Sequence, residues 1–265
     1  MKFALTITLM LTIGLTSSAA VAGEVCRGFG PQTPRDIASK DGTNAQVYPL
    51  APSADSMSLC NIHFHTNAEH KGPGFNLFAG KGEHGGFKCN ETPNLTNDEK
   101  KQPDSSACHG LNPGDTIQVH WVHTSCSTKP GKGLGACSSA TCANPVLRVE
   151  SQVFLLVNDP SALNFANFDA ADLGSANASA VGKPQAKALP TGTGTPVVFG
   201  GSTTGPKFNE LVCSPLQATW SVRPNCAKLD INSLHAWCRS NVFEENHAHG
   251  VRELVTAPEL LANIP

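Results

Sequence analysis

The densest chemistry in the chain lies in NIHFHTNAEH, Asn61 to His70, which holds three of the ten histidines and a carboxylate. The run LCNIHFHT (59–66) alternates and reads as a strand. Side chains on a strand point to opposite faces in turn, so His63 and His65 share a face, roughly 6.5–7 Å apart along the backbone. Two imidazoles so placed can converge on one ion. A third from a neighbouring strand would fill three corners of a tetrahedron and leave the fourth to water, the pattern of catalytic zinc. TIQVHWVHT (116–124), rich in β-branched and aromatic residues, is the candidate neighbour. It offers His120 and His123, whose parity is opposite, so only one can join. His120 shares its face with Gln118, whose amide could hold a ligand's second nitrogen. His123 then points to the other side as a structural residue. His109 and His235 are expected in plain surface or core roles. His70, His84, His247 and His249 stay open, because a proton relay needs an imidazole near the metal.

Other elements must position these residues. Charged residues make up only 15% of the chain, so Ser, Thr, Asn and Gly must cover much of its surface. The 24 glycines and 19 prolines imply many turns, and no long helical period is present. A net charge of −2 gives no electrostatic reason to expect nucleic acid or an acidic membrane as partner. VLRVESQVFLLV (146–157) is the strongest strand, with Arg148, Glu150 and Gln152 on one face. Late strands are expected in PVVFGGSTTGP (196–206) and ATWSVRP (218–224), and short helices in SLHAWC (233–238) and PELLANI (258–264). Residues 67–115 read as hairpins and stapled loops, and 160–196 as a short helix in a long surface excursion. No repeat or linker divides the chain, which points to one β-rich domain.

Residues 1–22 read as an export signal: Lys2, the apolar FALTITLMLTIGL, then AVA before Gly23. The mature domain would be 23–265, exported to a periplasm or secreted, with no second segment able to span a membrane. All ten cysteines fall in that mature part, and an even count in an exported chain suggests disulfides. No C-x-x-C occurs, so thiolate metal binding is the weaker reading.

The strings CNIHFHTNAEHKG, PGDTIQVHWVHTSC, NPVLRVESQVFLLVND and SALNF, from about residue 55 to 165, resemble the delta-class carbonic anhydrases. A fainter resemblance, to the alpha-class carbonic anhydrases, runs further. QTPRDI (32–37), NIHFH, IQVHWVH and GGSTTGP (200–206) follow the order of that family's Q-S-P-V-D-I, Q-F-H-F-H, E-L-H-L-V-H-W and G-S-L-T-T-P-P. These resemblances imply a mainly β fold: a single domain on a large twisted, mostly antiparallel central sheet, with short helices and disulfide-stapled loops. They imply zinc-dependent, reversible hydration of carbon dioxide to bicarbonate and a proton by a metal-bound hydroxide, with Co2+ or Cd2+ also suited to the site. The implied ligands are His63, His65 and His120. Gln118 stands where the alpha class has a glutamate supporting one ligand. Thr203 is the hydroxyl that orients the hydroxide, and Glu69 is favoured over Glu83 as its carboxylate partner. Carbon dioxide would rest on an apolar wall from Val122 or the 196–199 strand. Phe199 stands where a tyrosine is expected. No histidine lies between residues 24 and 62, where the alpha class keeps its proton shuttle, so the proton route is open. The alpha-class likeness also implies a Cys26–Cys213 bridge. Cys226 is expected to pair with Cys238, and the other cysteines to pair inside 60–142.

Two rival functions fit some of the same residues. HFHTNAE satisfies the cupin pattern H-x-H-x-x-x-E, in which Glu69 would be a fourth ligand for iron or manganese. Met57, however, replaces the expected glycine, and the second cupin box is not found around His120. A non-catalytic periplasmic metal-binding protein is the other.

Overall fold

Three long strands build the floor on which the histidines stand. β1 is Ser58–Thr66, β4 is Thr116–Thr124 and β5 is Leu147–Val157. Between the first two lies a two-residue hairpin, β2 (Leu77–Phe78) with β3 (Phe87–Lys88). β6 (Val197–Ser202), β7 (Gln217–Val222), β8 (Ala227–Asp230) and helix α1 (Ile231–Cys238) follow. The coordinates form a computed structural model that describes residues 33–46, 48–171, 182–203, 214, 216–252 and 254–265. The expected export segment and the Cys26–Cys213 bridge lie outside them.

The sheet runs β1-β4-β5-β7-β6, with β8 also paired to β5. The β1–β4, β4–β5 and β6–β7 pairs are antiparallel, whereas β7 and β8 lie parallel to β5. The sheet is therefore mixed. β7 pairs with Leu147–Ser151 and β8 with Phe154–Val157, so the two continue one line along the edge of β5. Pro224 lies in the break between them, as expected of a residue with no N–H for the ladder.

Both faces of this sheet are covered, so β4 is buried along its whole length. One face packs Val122, Val149, Val153, Leu155 and Trp220. The other packs Ile62, Phe64, Val119, Trp121 and Phe154 against Leu234 and Trp237 of α1. The Asp230 side chain caps α1 by accepting from the N–H groups of Asn232 and Ser233. A 3-10 turn at Phe165–Asn167 is the one helical element seen among the described residues of the 160–196 excursion, and its Phe165 ring sits 4.8 Å from Trp237. The carboxy-terminal helix expected at 258–264 is reduced to a 3-10 turn, Pro258–Leu260.

Four disulfides join described residues: Cys60–Cys137, Cys89–Cys226, Cys108–Cys238 and Cys126–Cys142. The expected Cys226–Cys238 pair is thus corrected, as is the confinement of the rest to 60–142. Cys226 and Cys238 belong to opposite faces of the sheet, which β8 and α1 connect. Each is tied instead to the loop region that covers its own face.

Burial holds two histidines away from the cluster, His123 and His235, below the usual histidine range. His123 is fully buried on the far face, and desolvation lowers its pKa to about 4. Its Nδ1 lies 3.1 Å from the Trp121 carbonyl. His235 accepts from the Cys108 N–H at 2.9 Å, a core role as expected, and His109 is exposed.

Two predictions follow from this framework. The double substitution Cys89→Ser/Cys226→Ser opens the link between sequence positions 137 apart; it should lower the unfolding free energy by about 2–5 kcal/mol in guanidinium titrations. The second concerns acid. Unfolded His123 binds a proton below about pH 6.5, and the folded residue only below about pH 4. Stability is therefore lost as pH falls through that window, because the unfolded state binds more protons. His123→Gln should reduce proton uptake on unfolding at pH 5 by about one, measured from the pH dependence of the unfolding free energy.

Candidate metal centre

The β1–β4 register puts His63 opposite His120 and His65 opposite Gln118. His63, His65 and His120 then project from adjacent strands to the same face. Their ring centroids lie 5.1, 5.1 and 4.9 Å apart, and each ring offers a nitrogen within 4.8 Å of the other two. His65 and His120 are buried, while His63 is half-buried and faces a cavity of about 580 Å³.

Hydrogen bonds behind the rings decide which nitrogens face inward. His63 Nδ1 lies 2.6 Å from Asn61 Oδ1, and His65 Nδ1 lies 2.9 Å from the Gly250 carbonyl. Carbonyl oxygens accept, so both Nδ1 atoms carry the proton and both Nε2 lone pairs are free. His120 is turned the other way: its Nδ1 sits 3.3 Å from His63 Nε2. Its Nε2 has no hydrogen-bond partner and looks toward Glu69 Oε2 at 3.9 Å. A carboxylate there favours the proton on Nε2, which leaves the Nδ1 lone pair pointing inward. Three lone pairs converging in so small a space repel one another, and a cation among them relieves that repulsion. The donor set fits a divalent ion such as zinc, which takes neutral imidazole nitrogens.

Electrostatics agrees. Desolvation, followed by neighbouring imidazoles, holds His63 and His120 well below the usual histidine range. His65 is also lowered, chiefly by burial, although Glu69 and the Gly250 carbonyl pull upward. The rings are neutral at pH 7, the state in which imidazole binds metal.

Gln118 and Glu69 sit differently from the sequence-based expectation. The Gln118 amide nitrogen lies 2.7 Å from Ser151 Oγ and 3.1 Å from His70 Nδ1, and its oxygen accepts from the Glu69 N–H at 2.6 Å. It supports the loop that carries Glu69, and His120 gains no bond from it. Glu69, 3% exposed, lies 3.3 Å from His65 Nδ1 and accepts from the Arg252 N–H at 3.0 Å. Its carboxylate therefore stands behind two of the rings. Thr203 lines the same small cavity of about 70 Å³ as the three histidines and Glu69. Its hydroxyl is 3.0 Å from Ser214 Oγ, so Ser214 stands where the family pattern suggested a carboxylate. Glu83 is exposed on the β2–β3 loop and does not line that cavity.

The apolar wall comes from Val122, Leu134, Leu147, Val149 and Trp220. Val122 was anticipated; the 196–199 strand is absent from it, and Phe199 is buried beyond His70, 6.2 Å ring to ring. His70 is fully buried and desolvation takes its pKa to about 3, so it is an internal neutral group. His84 is exposed on the hairpin loop. His249 lies 5.8 Å ring to ring from both His63 and His65, and His247 lies 5.1 Å further along. Both line the larger cavity. Glu245 holds His249 above its ordinary pKa through a 2.9 Å contact.

Asn61, Ser214, Gly250 and Arg252 were not anticipated. Asn61 alone carried a sequence signal, since it shares parity with His63 two residues on.

A family model described as delta carbonic anhydrase matches residues 54–233. No curated protein matches the chain. Solved structures to which it is similar include the Photobacterium profundum alpha-carbonic anhydrase, at 16% identity over 91% of each chain with a TM-score of 0.34. The alpha-carbonic anhydrase from Thermovibrio ammonificans, in complex with sulfanilamide, is 14% identical over 86% of this chain and 87% of that one, with a TM-score of 0.31. Likenesses this faint carry no functional weight. The family match spans well over half of the 265 residues and includes β1, β4, β5 and all three clustered histidines. The chain belongs to the delta carbonic anhydrase family.

Proposed function

We propose that this protein catalyses the reversible hydration of carbon dioxide to bicarbonate and a proton, using a divalent cation, zinc by preference, held by His63, His65 and His120. The observation that carries this reading is the convergence of three neutral, largely buried imidazoles beside an apolar wall, in a chain of this family. A cation so held supplies the Lewis acidity that lets water ionise near neutral pH. Cobalt and cadmium satisfy the same donor set.

The chain's own groups do the rest. Val122, Leu147 and Val149 offer carbon dioxide, a neutral and weakly hydrated molecule, a surface that does not bind water. Thr203 places one hydroxyl at that cavity with Ser214 behind it, a neutral pair that can orient a reacting oxygen. Glu69 orients His65 and His120 from behind, as outer carboxylates do for ligand imidazoles. The released proton passes to His249 and on to His247 at the cavity mouth. Glu69 as a fourth ligand, the cupin alternative, is disfavoured because its oxygens face the outer nitrogens of His65 and His120. The disulfides suit an oxidising compartment, and among the described residues no helix is long and apolar enough to cross a membrane. Export, to a periplasm or beyond, is part of the same proposal.

Stopped-flow hydration of carbon dioxide on metal-quantified protein tests the reading. His120→Ala should lose bound zinc and turnover together, whereas His123→Ala should keep one zinc per chain and measurable hydration. Full activity in His120→Ala, or one retained zinc with no hydration in the unmodified protein, would refute it; the latter result describes a metal-binding protein without turnover. Glu69→Ala should weaken zinc affinity about 10–100-fold, read by competition with a chelating dye. His249→Ala should slow kcat in dilute buffer, leave kcat/KM near its original value, and regain kcat on addition of imidazole.

A further inference from the structure

The segment after α1 returns across the open edge of β1 and is pinned there by a row of hydrogen bonds. His249 N–H donates to the Phe64 carbonyl at 2.8 Å, and Thr66 N–H to the His249 carbonyl at 2.8 Å. Gly250 O accepts from His65, Val251 N–H donates to Glu83 O at 3.0 Å, and Arg252 N–H donates to Glu69 Oε1 at 3.0 Å. The backbone is thus fixed where Arg252 begins. Arg252 lines the large entrance cavity, the small cavity at the three histidines and a third cavity of about 370 Å³ under the β2–β3 loop. It stands where the three meet.

Its guanidinium makes no hydrogen bond or ion pair with any described residue. The other charges at the entrance are engaged. Lys132 pairs with Glu244 at 3.1 Å, His249 with Glu245 at 2.9 Å, and Arg239 donates to Ser105 Oγ at 3.3 Å. Glu69 receives the Arg252 backbone N–H and faces the histidine rings. A fork of five N–H donors, without a partner among the described residues, therefore belongs to a residue that lines all three cavities. Positive charge beside a cation site raises the local energy until an anion enters. Carbon dioxide carries no charge, and bicarbonate does. Bicarbonate is also planar, with two oxygens spaced to meet a guanidinium edge.

We propose that Arg252 forms an oxyanion-binding subsite beside the three-histidine centre, and that its ligand is bicarbonate, the product of hydration and the substrate of the reverse reaction. This rests on the hydratase reading for the identity of the ligand. The subsite itself depends only on a guanidinium without a partner among the described residues, at the junction of the cavities.

Anion binding provides the test. Cobalt(II)-loaded protein is titrated with bicarbonate, and separately with nitrate as a planar anion that cannot react, following the visible absorption of the metal. The same anions are titrated against the thermal midpoint of metal-free protein. Arg252→Gln should raise the dissociation constant for both anions about tenfold, equivalent to about 1.4 kcal/mol, and Arg252→Lys should recover part of the loss. In metal-free protein, the anion-induced rise in midpoint should shrink in Arg252→Gln. Unfolding midpoints without anion should match the parent, since only the side-chain head is changed. Dissociation constants within twofold of the parent in Arg252→Gln would overturn the subsite. Hydration by the unmodified protein is recorded in parallel. If it is absent while nitrate binding still depends on Arg252, the hydratase reading fails and the oxyanion subsite stands.

Discussion

The antiparallel pairing of β1 with β4 is the constraint on which the site depends. A one-residue slip would turn every side chain of β1 to the other face and carry His63 and His65 away from His120. The register is held by burial on both sides. Ile62 and Phe64 fill the core under α1, while the histidines take the opposite face. Near the start of β1 the register shifts between Leu59 and Asn61, and from Asn61 onward the odd residues face the site. Asn61, His63 and His65 thus form one row, the first supporting the second through a 2.6 Å contact.

Burial has a second consequence. The rings cannot take up a second proton at neutral pH, because desolvation penalises the imidazolium form. Asn61 and Gly250 hold the outer nitrogens of His63 and His65, and that of His120 looks toward Glu69, so the inner nitrogens face one another across the site. The same packing that stabilises the sheet therefore prepares a cation site. The disulfides extend this logic outward. Cys89–Cys226 ties the covering loop to one face, and Cys108–Cys238 anchors the end of α1 on the other. A chain with few charged residues and many turns keeps its loops in place covalently.

Local pattern made much of the frame legible. The runs at 59–66, 116–124 and 146–157 became β1, β4 and β5 within a residue or two at each end, because alternation and β-branched content are properties of the strand itself. The inner members of the site were legible for the same reason, as period two decides which histidines share a face. Contacts between distant segments were not. β8, the four residues AKLD, has no pattern of its own and is a strand only because β5 offers a free edge. The partners of Cys226 and Cys238 depend on which face each occupies. Gln118 was expected to serve His120 by its position, but Ser151 and the loop carrying Glu69 compete for its amide. His249 and Arg252 reach the centre only because the chain after α1 crosses the β1 edge.

X-ray absorption spectroscopy at the zinc edge, on the purified full chain loaded with one equivalent of zinc, tests the central claim most directly. Four light-atom neighbours at about 2.0–2.1 Å, three of them showing the outer-shell scattering of imidazole rings, are predicted. A sulfur neighbour at about 2.3 Å, or one imidazole or none, would place the ion elsewhere and contradict the account.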